Sequence, residues 1–358
     1  MKVKYHDIIS IIDEIDPILY SKNRNFIDGS VSKISPYISR GLISTKQVFM
    51  ILKEKGFKWY QIEKYVQELA WRDYWQLIWQ VKNIDIDLKS NQIDVKQHDI
   101  STCIIDHKTD IRAIDDAIKN LYTTGYIHNH LRMYIASLVT NIAKTAWLKP
   151  AKWMYYHLLD GDWGSNALSW QWVAGTNSNR KYYMNQDNIN KYTKTNQKNT
   201  LIDTSYDSII NLNQPEIFSF TSNLELSTTF PESTYRKNND NHLPILIYNY
   251  YNLDIKWRSY MHADRVLLIE PSKFKKYPIS EKCMQFFIKL SKNIEGIMIY
   301  VGEFEDLLCE GKKIFFKEHP LNYNYSGNMD QRDWLSDQKG YYPSFFKYWN
   351  LLIKKIKY

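Results

Sequence analysis

The stretch from Asp160 to Trp172 reads DGDWGSNALSWQW and concentrates carboxylates, an amide and indoles in a short segment. Asp160 and Asp162 are close enough in sequence to share a basic partner, for which Arg132 is the candidate. Asn166 follows Asp162 by four residues, which places a neutral donor and acceptor on the same turn of a helix. Indoles stack on bases and are also easily oxidised, so they can pass electrons. The pattern indicates a site that combines charge with aromatic surface.

A second cluster lies on the predicted helix QIEKYVQELAWRDYWQLIWQV. Here a carboxylate shares one helix face with three indoles at three- and four-residue steps: Glu68, Trp71, Trp75 and Trp79. Burying a carboxylate costs free energy unless a hydrogen bond satisfies it. Two interpretations stay open. Either the face is only partly buried and Glu68 pairs with an arginine such as Arg72 or Arg132, or Glu68 is a polar anchor at the mouth of an aromatic pocket that holds a planar heterocycle.

A third segment, GYIHNHLRMYIAS, places Asn129 and Met133 on one helix face at four-residue spacing. His128 and His130 flank Asn129 but point in other directions, so they do not form a two-histidine metal site. Composition alone favours a core helix with histidines at the surface. The cysteines of the chain include no CxxC pair, and we therefore predict no metal centre.

These clusters require helices, and helical periodicity extends from the start of the chain to about residue 192. Within it, SKISPYISRG is typical of a helix start, with Ser35 as the cap and a proline in the first turn. Residues 193–242 are rich in Asn, Ser and Thr, which predicts a linker. Beyond them come four strand-like runs, LPILIYNY, RVLLIEP, GIMIYVG and KIFFKEHP, together with two helical segments. We predict a mainly α fold, with an all-helical domain at 1–192 and a small α/β domain of unknown role, with parallel strands, at 243–358.

Charge and composition bound the partners and the compartment. The chain has 358 residues, a formal net charge of +8 and a pI near 9.0, which is compatible with a polyanionic partner such as nucleic acid. No apolar run is long enough to span a membrane, and acidic residues interrupt the apolar N-terminus, so neither a membrane anchor nor a signal peptide is predicted. We expect a cytoplasmic protein. The lack of GxGxxG, P-loop, GxSxG and HExxH motifs leaves nucleotide kinases, Rossmann dehydrogenases, α/β-hydrolases and zincins without support.

Four segments together resemble the FAD-binding helical domain of the DNA photolyase/cryptochrome family. SKISPYISRG is similar to the family's SRLSPYL phosphate-binding turn, and ELAWRDYW is similar to its ELIWREF substrate helix. GYIHNHLRM resembles GWMHNRLRM, and DGDWGSNALSWQW resembles DGDLAANNGGWQW. The segments occur in the family's order and the resemblance extends from about residue 20 to residue 192.

The resemblance implies a FAD site. The residues that would hold the FAD phosphates are Tyr20, Ser32, Lys33, Ile34 and Ser35. The residues that would face the flavin ring or fix its surroundings are Arg132, Asp160, Gly161, Asp162 and Asn166, with Arg132 pairing Asp160 and Asn166 beside flavin N5. The family's usual N-terminal α/β antenna domain is absent from this sequence, so the antenna chromophore is unknown.

The resemblance also implies damaged DNA, duplex or single-stranded, as the partner. The residues that would line the pocket for a flipped-out lesion are Glu68, Trp71, Asn129, Met133 and Trp172. Those that would contact the DNA elsewhere are Arg24, Arg72 and His130. Trp170 and Trp147 match the inner two members of the family's tryptophan chain for photoreduction, whereas the outermost tryptophan has no counterpart.

The resemblance extends to the type of lesion. Asn129 and Met133 stand where members that repair the (6-4) lesion carry histidines, and Asn166 is the residue that photolyases use. The implied activity is FAD-dependent, blue-light-driven repair of cyclobutane pyrimidine dimers, a deoxyribodipyrimidine photolyase-like lyase reaction in which Glu68 hydrogen-bonds the damaged pyrimidines. The alternative is a cryptochrome-like blue-light photoreceptor without repair activity.

Overall fold

A computed structural model of the chain describes residues 1–236, 242–307 and 312–357. Cys309 lies outside the described residues. The chain divides into two compact units, each assembled from separate segments of sequence. We call Met1–Pro17, Ser32–Gln80 and Ser227–Tyr358 the mixed unit, and Ile18–Val31 with Val81–Leu226 the helical unit. The predicted limits at residues 192 and 242 do not coincide with these units, and as domain boundaries they stay a prediction.

The helices in chain order are α1 (Tyr5–Asp13), α2 (Pro17–Asn23), α3 (Ser35–Ser39), α4 (Thr45–Glu54), α5 (Trp59–Val81), α6 (Thr102–Ile105), α7 (Arg112–Thr124), α8 (Asn129–Ser137), α9 (Leu148–His157), α10 (Trp163–Ala174), α11 (Gln186–Thr193), α12 (Tyr206–Ile210), α13 (Pro271–Lys276), α14 (Glu281–Ser291) and α15 (Phe345–Ile356). The strands are β1 (Ile100–Ser101), β2 (Thr221–Ser222), β3 (Ile245–Tyr248), β4 (Asp264–Ile269), β5 (Ile297–Val301), β6 (Ile314–Lys317) and β7 (Asn328–Asp330). The predicted fold class, helices followed by an α/β part, is confirmed. Among the described residues, no helix is both long and apolar enough to cross a membrane.

The mixed unit contains a five-stranded sheet in the order β5-β4-β3-β6-β7, and every pairing in it is parallel. The central strand β3 is fully buried, and its Ile247 pairs with Val266 of β4 and Phe316 of β6. The four apolar runs became β3 to β6 because β-branched and aromatic side chains suit a buried sheet. The prediction of parallel strands is confirmed. β7 was missed because its sequence, NMD, is short, largely exposed and without an apolar pattern.

Hydrogen bonds tie together the three segments of the mixed unit. The Asn293 side chain donates to the Val3 carbonyl at 2.7 Å and accepts from the Tyr5 amide at 2.8 Å. The Asp73 carboxylate accepts from the Leu335 amide at 2.8 Å. Asp73 is 1% exposed, and burial raises the pKa of its carboxyl. Residues close to both ends of the chain are therefore part of one folded unit.

The helical unit packs α8, α9 and α10 around fully buried aromatic side chains, among them Tyr134, Trp153 and Trp163. A single π-helical turn, Leu138–Ile142, follows α8. The segment predicted as a linker is partly built into this unit, because Ile202 and Phe218 are completely buried. It also supplies β2, which pairs with β1 in a two-stranded antiparallel sheet.

Two local predictions are wrong. The cap position of α3 is Ile34 rather than Ser35, which is already the first helical residue. A proline fits the second helical position as well as the first, because neither amide takes part in the helix ladder. His128, expected at the surface, is 6% exposed. Its Nδ1 accepts the His130 amide at 3.2 Å, so His128 caps α8 instead of facing solvent.

Candidate functional site

An ion pair joins α8 to the turn before α10 in the helical unit. Arg132 Nη2 donates to both carboxylate oxygens of Asp160, at 3.0 and 2.9 Å, and Arg132 Nε donates to the Ile127 carbonyl at 2.9 Å. The Asp160 side chain is 4% exposed, so the pair is shielded from water on the carboxylate side. Charge-assisted hydrogen bonds of this kind fix geometry as well as adding energy. The structure thus brings together the two residues that the sequence paired.

The turn from Asp160 to Asn166 presents buried polar groups at the start of α10. Asp162 caps the helix by accepting the Ser165 backbone amide at 2.7 Å, and the Asn166 side-chain Nδ2 donates to the Ala151 carbonyl at 2.8 Å. A side chain at Gly161 would place its Cβ 3.0 Å from two backbone carbonyl oxygens, so any larger residue would need the turn to shift by a few tenths of an ångström. The Ser165 hydroxyl is buried and has no hydrogen-bond partner among the described residues. A buried polar atom left in this state fits a turn that receives a polar cofactor such as FAD.

The residues predicted to hold the FAD phosphates lie in both units. In the mixed unit, Ser32 accepts a hydrogen bond from the Tyr65 hydroxyl at 2.8 Å, and burial raises the pKa of Tyr65. Lys33 has a φ of 53°, which bends the backbone sharply before α3. In the helical unit, the Arg24 guanidinium lies 5.9 Å from the Tyr20 ring, and its Nη1 donates to the Ser21 carbonyl at 3.1 Å.

The tryptophans of the helical unit differ sharply in exposure. Trp147 and Trp170 are 3% and 2% exposed, whereas Trp172 is 39% exposed. Trp147 Nε1 donates to Asp87 at 2.7 Å, a partner that the motif comparison did not single out. The ring of Trp172 lies 5.7 Å from that of Tyr182. Trp172 is therefore the indole of the motif that remains accessible for stacking.

On α5 of the mixed unit, Glu68 forms an ion pair with Lys64 at 3.2 Å, and its side chain is 35% exposed. Arg72 instead donates to the Ser39 hydroxyl at 2.8 Å. The face is only partly buried, as the first interpretation held, and the basic partner seen for Glu68 is the lysine one turn away on the helix. The sequence could have shown this, because the two residues have i, i+4 spacing.

Trp71, the second predicted lesion contact on α5, stacks against Phe345 of α15. The ring centroids are 3.6 Å apart and the planes differ by 8°. The centroid of the Trp75 ring lies 4.9 Å from that of the Trp71 ring. One face of the Trp71 ring is therefore already covered, and no local pattern predicts this contact because α15 is remote along the chain.

The third predicted cluster lies at the start of α8. Asn129 is exposed at the first turn and Met133 is half-buried one turn later. His130 is held by a hydrogen bond of 2.9 Å between Nδ1 and the Asn25 carbonyl, and its ring lies 4.4 Å from that of Tyr192. Burial lowers the pKa of His130. Its imidazole is therefore neutral near pH 7 and offers no charge to a phosphate.

The chain is similar in sequence to proteins of one known family. Residues 65–231 match the family model described as the FAD binding domain of DNA photolyase. The deoxyribodipyrimidine photo-lyase of Alkalihalophilus pseudofirmus is 28% identical over 174 residues, covering 46% of this chain and 36% of that protein. The corresponding protein of Buchnera aphidicola is 31% identical over 160 residues, covering 42% of this chain and 34% of that protein. The chain spans about a third of the length of these curated relatives.

Among solved structures, a Synechocystis cryptochrome is similar with a TM-score of 0.46 and 18% identity, covering 54% of this chain and 44% of that one. The matched range 65–231 includes the segments around Glu68, Asn129 and Asp160, and it begins after the predicted phosphate turn. The match confirms the resemblance stated from the motifs, and with it FAD as the cofactor.

Proposed function

Because this chain belongs to the DNA photolyase/cryptochrome family through its FAD-binding domain, we propose that it is a light-driven DNA repair enzyme acting on cyclobutane pyrimidine dimers. When bound, reduced FAD supplies the excited-state electron for such a reaction. The residues of the chain have the tasks of holding the cofactor, excluding water from it and presenting a stacking surface to the lesion.

In this proposal the residues at the start of α10 hold the cofactor. Arg132 fixes Asp160, Asp162 fixes the first turn of the helix, and the Ser165 hydroxyl and Asn166 offer polar atoms toward the flavin. Asp160, Asp162 and Asn166 are each less than a tenth exposed, so water has little access to them. Hydrogen bonds to a ligand are worth more in such an environment than at a wet surface.

One observation carries the repair proposal: α10 combines a buried polar start with an exposed indole. Trp172 lies six residues beyond Asn166, which is about 9 Å along a helix axis. An accessible indole at this position offers a face on which a base can stack. A flavoprotein that only sensed light would have no need for it.

The proposal is tested with full-length, FAD-loaded and photoreduced protein mixed with ultraviolet-irradiated DNA. Blue light is expected to remove dimers, measured by chromatography of the digested DNA. Trp172→Ala should weaken binding of the damaged DNA by about 1–3 kcal/mol per stacked base while leaving the FAD content unchanged. Tyr260→Ala, at a ring that is 84% exposed in the mixed unit, is the matched control and should behave as wild type.

Binding should also weaken steeply with added salt, because contacts to phosphates release counterions. Equal affinity of the wild type for damaged and intact DNA, with no dimer loss in light, would contradict the proposal.

The second candidate, a blue-light photoreceptor without repair activity, is favoured by the stack of Phe345 on Trp71. A covered ring cannot offer that face to a lesion. If sensing is the function, Phe345→Ala should leave the affinity for damaged DNA as low as for intact DNA. If repair is the function and the stack opens on binding, the same variant should retain or improve discrimination, measured by competition between the two DNAs.

A further inference from the structure

A cavity of about 240 Å³ lies at the carboxyl edge of the parallel sheet, wholly within the mixed unit. Its walls include Asn252 after β3, His319 after β6 and Arg332 after β7, and a segment between α3 and α4 closes it. Nothing in the predicted FAD or lesion set lines this cavity.

The topology of the sheet explains why the cavity forms there. The chain enters at β3, adds β4 and β5 on one side, and then returns to place β6 and β7 on the other side. The loops after β3 and β6 therefore diverge. In open parallel sheets, ligands bind outside the carboxyl ends of the strands at such a switch point.

His319 points to the chemistry of the ligand. It is 7% exposed, and its Nδ1 accepts the Leu321 amide at 3.2 Å, so a neutral ring carries its proton on Nε2. Burial, with the charges of Arg332, Lys273 and Arg40, holds the pKa of His319 well below its usual range and keeps the ring neutral. Nε2 is buried and finds no acceptor in the described ranges of the chain. His319 is thus a buried donor with nothing to donate to.

Asn252 presents a second donor in the same state. It is 5% exposed, and its Oδ1 accepts the Asp254 amide at 3.3 Å, which fixes the orientation of the side-chain amide. Its Nδ2 is buried and has no partner among the residues that the structure describes. Native proteins leave few buried donors unpaired, and two lining one cavity indicate a missing acceptor.

None of the three carboxylates that line the cavity accepts a hydrogen bond from either donor, and each has another partner. Asp254 pairs with Lys317 at 2.5 Å, Glu318 accepts the Trp334 indole N–H at 3.0 Å, and Asp333 pairs with Lys46 at 3.8 Å. Lys256, Lys317 and Arg332 match these three carboxylates in number, so the lining carries no net formal charge while His319 is neutral. The cavity therefore combines two unused donors with a charge-balanced lining, and what it lacks is an acceptor for those donors.

We propose that this cavity binds a small oxyanionic molecule, whose phosphate or carboxylate oxygens accept hydrogen bonds from His319 Nε2 and Asn252 Nδ2. Lys256 and Arg332 in the wall supply positive charge close to it. The site is separate from the proposed DNA repair activity and does not depend on it. Its volume admits a small metabolite rather than a macromolecule.

The test uses the full, FAD-loaded chain in the dark and two classes of probe: inorganic phosphate and ribose 5-phosphate, or malonate and citrate, with chloride at equal ionic strength as the reference. Thermal unfolding and isothermal titration measure binding. One class is expected to raise the melting temperature in a saturable way, and the class that does so identifies the anion.

Asn252→Asp keeps the oxygen that accepts the Asp254 amide and replaces the donor by a negative charge. The variant should therefore bind the probe at least roughly tenfold more weakly. Asn83→Asp is the matched control, because exposed Asn83 accepts the Asp85 amide at 3.1 Å in the same way, outside the cavity. If Asn252→Asp does not fold, His319→Phe, which keeps a ring against Tyr251, serves instead. No saturable response to any probe, or equal binding in the cavity variant and the control, would overturn the proposal.

Discussion

This protein has two polar centres, the Arg132–Asp160 centre of the helical unit and the cavity at the sheet edge. They differ in how their buried polar atoms are hydrogen-bonded. In the first, the arginine and the carboxylate satisfy each other and the arginine also reaches the Ile127 carbonyl. In the second, His319 and Asn252 keep donors that nothing in the described chain accepts. A self-satisfied centre contributes to folding whether or not a ligand is present. A centre with unused donors gains its full value only when a ligand arrives.

The largest expected effect breaks the self-satisfied centre. Arg132→Met leaves the Asp160 carboxylate buried without its partner, which should lower the free energy of unfolding by about 3 kcal/mol. Denaturation by urea measures the change. Arg180→Met, at an exposed arginine of the same unit, is the control and should change the free energy by less than about 0.5 kcal/mol. Equal stability of the two variants would show that Asp160 is satisfied by other means.

An intermediate effect follows from the low pKa of His319. Folded His319 stays neutral, whereas the unfolded chain takes up a proton near the usual pKa of 6.5. Stability is therefore complete above that pH and falls as the pH drops below it. Lowering the pH from 7.5 to 5.5 should therefore lower the free energy of unfolding by about 1.4 kcal/mol through this group.

The matched measurement compares the pH dependence of urea unfolding in wild type and His319→Phe. On acidification the free energy of unfolding of the variant should fall by about 1.4 kcal/mol less than that of the wild type, because Phe does not titrate. His130, whose pKa is also lowered, is present in both proteins and cancels in the difference. Identical pH profiles would mean that folding leaves the pKa of His319 unchanged.

The smallest expected effect concerns the Ser165 hydroxyl in the first turn of α10, which follows the self-satisfied centre in the chain. Ser165→Ala removes a buried polar atom without a described partner, so the cofactor-free protein should keep its stability within about 0.5 kcal/mol. If that hydroxyl bonds FAD, the loaded protein should lose about 1 kcal/mol of cofactor affinity, seen as faster release of FAD on dilution. Unchanged release would place Ser165 outside the cofactor site.

The two centres also differ in how many of their residues could be predicted from the sequence. The helical centre lies in one motif plus Arg132, so adjacent residue types were enough to find it. The cavity gathers Asn252, His319 and Arg332 from the ends of three strands, and only the order of the strands brings them together. The apolar runs predicted two of those strands, β3 and β6, because β-branched and aromatic residues suit a buried sheet, whereas the exposed β7 was missed. Nothing local in the chain encodes which strand ends are neighbours.

Single side-chain partners were the least predictable level. Phe345 covers Trp71 from α15, far along the chain, and no spacing rule reaches that distance. Lys64 was within reach of a spacing rule, since it precedes Glu68 by one helical turn. Asp87, which holds the Trp147 indole, belongs to a loop without periodicity.

The interleaved segments of the mixed unit have a consequence for synthesis on the ribosome. The helical unit draws only on residues up to Leu226, so its contacts become available while the rest of the chain is still being made. Val3 and Asp73 must instead wait for Asn293 and Leu335 to emerge before their hydrogen bonds can form. At about 5–20 residues per second, the gap between residues 73 and 335 lasts roughly ten seconds to a minute. For that interval the Asp73 carboxylate lacks the Leu335 amide, although α1 and α4 can already pack on each other, so the mixed unit completes its hydrogen bonds only when almost the whole chain has been made.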